Sequence, residues 1–387
     1  MSEKSNPDTE LQGLSRLLTE ATLSVTDIVE AMHHRMVHPP FMPSTPIQKL
    51  ITGIAGTAYQ GVRGSTRIIG KGLDIVLGRL APIIGDIKPS PEKEAIQSAL
   101  NGVLGDYLEA QGNPLAVKMA FRQSVATANG RILLMVHGSC LNDQTWTRGG
   151  HNHGLRLATE LDKTPVFLRY NSGRHISTNG QELSNLLEEL LADWPHPVEE
   201  LMVLAHSMGG LVMRSALYYA QQQKKDWPGY LRKIVFLGTP HHGAPLERLG
   251  NYLHTVLATV PYTKPLSRLA RWRSAGVTDL RYGNLLEKDW QGRDRFKWMG
   301  DQRQIVPLPE NVICYSIAAV TDSLKNKMPV GRPGDGLVEV ESALGKHKEA
   351  AKNLSFEEEN TWIAQQHSHL DLLSSSRVFT KIKDWLV

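Results

Sequence analysis

The chain has 387 residues, 41% of them hydrophobic and 21% charged, a balance that excludes a disordered or membrane-embedded protein. This length exceeds what one core usually fills, so a main domain with an appendage is expected. A formal net charge of +4, without a basic run interleaved with aromatics, offers no nucleic-acid-binding face, and no nucleic-acid partner is expected.

Residues 1–125 read as a helical N-terminal region: Leu11 to Val37, Pro46 to Gly85 and Pro91 to Gln111, with the proline-rich His38 to Pro46 as a connector. Met1 to Pro7 has no apolar core after a basic region, so no secretory signal is visible. Cys140 and Cys314 give no disulfide framework and fit a reducing compartment, which makes the cytoplasm the expected location. The longest uncharged run of the second stretch, Leu50 to Val62, is shorter than the about 20 residues that span a bilayer. Residues 46–85 carry an apolar face that suits either peripheral contact with a lipid surface or a cover for the core.

From residue 126 onward the pattern changes. Apolar runs at Ile132 to Val136, Val166 to Tyr170, Leu201 to Ala205, Ile234 to Leu237 and Val312 to Ala318 alternate with helical stretches such as Gln181 to Trp194. That alternation predicts an α/β domain over 126–387 with a mostly parallel sheet. Nothing before residue 125 reads as a strand, so the sheet is expected to begin at Ile132.

The third of these runs leads through His206 into Ser207, with Ala205 and Gly209 two positions to either side and a helix-like run from Leu211 to Ala220. A sharp strand-to-helix turn needs small residues there and lifts the serine hydroxyl out of the sheet, the arrangement of a nucleophile elbow. The turn also leaves the Met208 N–H at a helix N-terminus, ready for a developing oxyanion. Downstream, Gly334-Asp335-Gly336 offers an acid and Ser368-His369 a base, in the order Ser, Asp, His. The residues alone leave Asp322 and His367 as alternatives. His137 reads as a support for the loop after the first run, His206 as packing beneath the elbow, and His241 and His242 as structural or lining the site.

Between Gly243 and Pro309 lies a long insertion, about 245–309, expected as a helical lid. It carries Tyr252, Tyr262, Trp272, Tyr282, Trp290 and Trp298, and a cationic cluster of Arg268, Arg271, Arg273, Arg281, Arg293, Arg295 and Lys297. If those charges point inward, they favour a substrate bearing phosphate or carboxylate; otherwise they form a solvated face.

Val136-His137-Gly138, Ala205-His206-Ser207-Met208-Gly209-Gly210, Gly238-Thr239-Pro240-His241-His242-Gly243, Gly334-Asp335-Gly336-Leu337-Val338 and His369-Leu370-Asp371 resemble the signature blocks of bacterial triacylglycerol lipases and of the inositol-deacylase-like (PGAP-like) esterases. The resemblance runs from Arg131 to the end and implies an α/β-hydrolase fold. It implies Ser207 as acyl-accepting nucleophile, Asp335 and His369 as its acid and base, and Ser139 and Met208 as oxyanion-hole N–H donors. A serine esterase or lipase acting on lipid-like carboxylic esters is therefore expected, with no cofactor. An acyltransferase using the same residues, or a lipid-surface or partner-binding module on a hydrolase fold, are the other readings. Similar lipases hold a calcium near the residue matching Asp371, but no second carboxylate is identifiable, so no metal site is expected.

Overall fold

The computed structural model describes residues 91–123, 128–245, 273–295, 300–321 and 334–387. Nine strands occur among these residues: β1 Ala120–Gln123, β2 Arg131–Val136, β3 Thr147–Arg148, β4 His151–Asn152, β5 Thr164–Arg169, β6 Glu200–His206, β7 Leu231–Leu237, β8 Ile313–Val320 and β9 Thr361–Gln365. The helices are α1 Pro91–Ala110, α2 His153–Glu160, α3 Ile176–Ala192, α4 Met208–Gln222, α5 Ala275–Asp279, α6 Val340–Ala343 and α7 Ser376–Leu386. β3 and β4 form a small ribbon, and the other strands make one sheet in the order β1-β5-β2-β6-β7-β8-β9. All pairings in that sheet are parallel except β1 with β5.

The central strands are apolar over most of their length because helices cover both faces of the sheet. Ile132 to Val136 and Leu201 to Ala205 are buried throughout, each large aliphatic side chain contributing about 1.5–3 kcal/mol. Helix α4 buries Leu211, Val212, Met213 and Ala216, while α7 buries one stripe of Val378, Phe379, Ile382, Trp385 and Leu386. Side-chain caps start α2 and α7: Asn152 accepts from the Leu155 N–H and Ser375 from the Val378 N–H.

The sheet begins earlier than the sequence pattern suggests. β1 precedes Ile132 and pairs antiparallel with β5 from Ala120 opposite Arg169 to Gln123 opposite Val166. Helix α1 shares the sheet's core through Ile96, Leu100, Val103, Leu104 and Leu108. The boundary expected between residues 125 and 126 is thus too late, because the sheet and its core already include 91–123. The expected helices over 11–37 and 46–85, the lipid-surface reading of 46–85, Asp322, and insertion residues 246–272 and 296–299 lie outside the described residues.

The described part of the insertion is bound into the body. Val277, Leu280, Leu285 and Leu286 join the core. Asp279 accepts from the Ile176 N–H at 2.9 Å, satisfying one donor at the start of α3. Trp290 stacks on His175 at 3.7 Å and donates to the Ser177 hydroxyl at 2.9 Å. Among the described residues no helix is long and apolar enough to cross a membrane.

Candidate active site

Ser207 lies between the end of β6 and the first residue of α4, with φ 55° and ψ −126°. A non-glycine residue in this region of backbone space carries about 1–3 kcal/mol of strain, which persists only where the surroundings enforce it. Here the Ser207 N–H donates to the Leu237 carbonyl at 2.9 Å, tying the turn to the end of β7. The small flank is a steric requirement: a Cβ on Gly209 would stand 2.5 Å from the main-chain oxygens of Val136 and His137. The same close packing brings the loop after β2 to the serine, since a Cβ on Gly138 would be 2.9 Å from Ser207 Cβ.

Asp335 and His369, far apart in the chain, meet. His369 Nδ1 donates to Asp335 Oδ2 at 2.6 Å, with both residues only 3% exposed. The other carboxylate oxygen, Oδ1, accepts from the Leu337 N–H at 3.0 Å and the Val338 N–H at 2.8 Å, which fixes the acid's orientation. The main chain adds a bond from the His369 N–H to the Asp335 carbonyl at 3.1 Å. His369 also lies against the elbow. Its ring centroid is 4.7 Å from that of His206, the residue before Ser207, and a Cβ on Gly238, the residue after Leu237, would be 3.0 Å from its ring. Gly238 has φ 57°, so glycine answers both the backbone and the contact.

Met208 is the first residue of α4, where main-chain N–H groups have no intrahelical acceptor and the helix dipole favours negative charge. Ser139 is 1% exposed and precedes Cys140, whose φ of 61° turns the loop after β2 and whose N–H donates to the Ser172 hydroxyl at 2.9 Å. His137 braces that loop. It stacks on Tyr170 at 4.3 Å, its carbonyl accepts from the Tyr170 hydroxyl at 2.9 Å, and burial lowers its pKa to about 4. A histidine held neutral and packed in this way supports rather than exchanges protons at neutral pH.

His367, the alternative base, contacts Gln365 and the Ser375 hydroxyl. Asp371 is engaged within its own turn, where its Oδ2 accepts from the Ser368 N–H at 2.9 Å and from the Ser368 hydroxyl at 2.6 Å. Among the described residues no group of three or more His, Cys, Asp and Glu is placed to hold a metal ion. Within the arginine-rich insertion, Arg295 is paired with Asp106 on α1, while Arg268, Arg271 and Lys297 lie outside the described residues. His241 and His242 meet Arg214 and Arg303, residues the sequence pattern does not single out.

A mostly parallel sheet, a strained serine at a strand-to-helix turn and a buried Asp–His pair later in the chain define an α/β-hydrolase fold. A protein family described as "Domain of unknown function (DUF7379)" matches residues 102–269. No curated protein matches the sequence. Among solved structures, the chain is similar to the mature form of the Bacillus licheniformis lipase BlEst2, with 16% identity, a TM-score of 0.45, and coverage of 70% of this chain and 98% of that one. It is also similar to Aspergillus fumigatus lipase B, with 13% identity, a TM-score of 0.41, and coverage of 68% and 55%. A third similar structure is a Pyrobaculum calidifontis esterase, with 11% identity, a TM-score of 0.40, and coverage of 80% and 98%.

Proposed function

We propose that this protein is a serine hydrolase that cleaves carboxylic esters, of the lipase and inositol-deacylase-like kind, through an acyl-enzyme on Ser207. The observation that carries the reading is the buried Asp335–His369 hydrogen bond of 2.6 Å beside a serine held at φ 55°. Asp335 accepts the Nδ1–H of His369, which leaves Nε2 as the basic nitrogen. Ser207 Oγ attacks the ester carbonyl while its proton passes to Nε2, and the resulting oxyanion accepts from the Ser139 and Met208 N–H groups. Collapse of the tetrahedral intermediate breaks the bond to the alcohol, which leaves with the proton from His369. Water then repeats the sequence and releases the acid. Each oxyanion donor supplies about 3 kcal/mol of transition-state stabilisation. Lipid-like esters are the proposed substrates, and the insertion at 245–309 is their proposed cover.

Labelling with a fluorophosphonate probe, comparing wild type with Ser207→Ala, tests the nucleophile. Hydrolysis of nitrophenyl esters of rising acyl length tests the substrate class. The expected outcome is labelling lost in the variant and a preference for longer chains. A folded wild type that is neither labelled nor active would overturn the proposal.

A further inference from the structure

A small recess, open to solvent, lies beside α4 and the loop after β7, lined among others by Arg214, His241, His242, Arg303, Gln304 and Lys352. Neither Asp nor Glu belongs to its wall. Arg214 projects from α4 two helical turns beyond Ser207, about 10 Å along the axis. It is only 6% exposed, and no described carboxylate pairs with it. Its terminal nitrogens reach the Val306 carbonyl and, at 3.3 Å, His241 Nδ1, while its Nε–H has no acceptor among the described residues. Burial and then the neighbouring Arg303 lower its pKa to about 9. A buried guanidinium without a counter-ion is costly unless something else supplies negative charge.

The hydrogen-bond pattern fixes the character of the missing group. Arginine only donates, so His241 Nδ1 must accept from Arg214, and the His241 proton then sits on Nε2. That Nε2–H is buried and also lacks an acceptor among the described residues. Arg303 is committed elsewhere: it donates to the His241 carbonyl at 3.0 Å, to the Tyr282 carbonyl and to His242 Nδ1 at 2.7 Å. Its partner Asp301 is shared with Lys352, 3.0 Å away, and Lys352 also pairs with Glu349 at 3.1 Å, so of these three cations only Arg214 is left without a described carboxylate. Beside the recess, two buried N–H groups, Arg214 Nε–H and His241 Nε2–H, are left without acceptors among the described residues, and one positive charge is uncompensated. Water meets a donor's need for an acceptor, but it does not balance the charge. An ion with several acceptor oxygens does both and matches the guanidinium fork.

We propose that this recess binds a small oxyanion of the phosphate class, with Arg214 and His241 as its principal donors and Arg303 and Lys352 as flanking charge. The site is separate from Ser207, and the proposal stands whether or not the protein hydrolyses esters. His241 belongs to the same loop as Gly238, which abuts His369, so an ion held there braces the loop behind that histidine.

The test is calorimetric titration and thermal unfolding of the full chain with inorganic phosphate, at ionic strength held constant with sodium chloride. Glycerol phosphate is run in parallel to represent a phosphoester headgroup. Saturable binding with a matching rise in Tm is expected, and Arg214→Gln should weaken it at least tenfold. Should that variant not fold, Lys352→Gln, at the mouth of the recess, should weaken it several-fold. Phosphate bound much more tightly than glycerol phosphate assigns the site to a free ion, and comparable binding assigns it to a headgroup; both support the proposal. Absence of saturable binding to wild type, an equal response to chloride alone, or an unchanged response in a folded Arg214→Gln would overturn it.

Discussion

His206 Nε2 donates a hydrogen bond to the main-chain carbonyl of His369 at 3.1 Å. The residue before the elbow serine thereby holds the backbone of the histidine opposite it. Both residues are buried, and the pKa of His206 lies well below the ordinary histidine range, through burial first and the neighbouring His369 second. His206 is thus a neutral donor whose work is positional.

Replacing His206 with Ala removes that donor from a buried carbonyl, a loss of roughly 1–3 kcal/mol. A lower Tm is expected, together with slower fluorophosphonate labelling. His206→Gln, whose amide nitrogen has a similar reach, should recover part of both. Equal Tm values for wild type and His206→Ala would show that the bond contributes nothing.

Asp335→Asn should lower kcat by about 10⁴-fold, because an amide in place of Oδ2 no longer holds the imidazole in the tautomer that leaves Nε2 basic. Circular dichroism should show the fold retained. Steady-state kinetics on a nitrophenyl ester makes the measurement, and a loss below tenfold would assign the acid's role to another residue.

The backbone strain at Ser207 predicts a difference in stability between two variants. Glycine adopts φ 55° freely whereas alanine does not, so Ser207→Gly should be more stable than Ser207→Ala by about 1 kcal/mol after glycine's greater unfolded-state entropy is subtracted. Denaturant unfolding of the two proteins decides it. A more stable Ser207→Ala would mean that the turn is relaxed.

Stability should fall as the solution is acidified below about pH 6.5. His137 and His153 are buried, and burial lowers their pKa values to about 4 and about 3, from an ordinary value of 6.5. Between pH 6.5 and those values the unfolded chain binds protons that the folded chain does not, so protonation favours unfolding. The stability present above pH 6.5 is lost progressively through this window, His137 alone accounting for roughly 3 kcal/mol by pH 4. Unfolding free energies measured from pH 7 to pH 4 should show this slope, and a flat profile would mean that these rings are hydrated.

The elbow is legible in the sequence because its constraint is local: a strand, small residues around Ser207, then a helix. Strands such as β2 and β6 are legible for a similar reason, being uninterrupted apolar runs buried on both faces. β1 is not, since Ala120 to Gln123 contains one large apolar residue and is largely exposed, so its place in the sheet comes from backbone pairing with β5. β9 is a short strand, largely half-buried at the sheet edge, and carries too little pattern to read. The apolar stripe of α1 predicts a helix but does not say which core it joins, so a boundary drawn from pattern alone falls too late. Chain order offers Asp335 and His369 but leaves Asp322 and His367 open; the family resemblance selects the pair. Arg214 reads as one more helical arginine, although its setting among Leu211, Val212, Met213, Ala216 and Leu217 is the available sign that it is buried.

His369 sits in the connection between β9 and α7, and α7 is clasped by its apolar stripe and by Lys233, whose ammonium bonds the carbonyls of Trp385 at 2.8 Å and Val387 at 2.9 Å. The last helix therefore acts as a latch on the proposed base. Local release of that helix is expected to withdraw His369 from the elbow while the sheet stays intact. Reactivity at Ser207 then becomes a gauge of how often the latch opens, and it will decline on mild heating before secondary structure does.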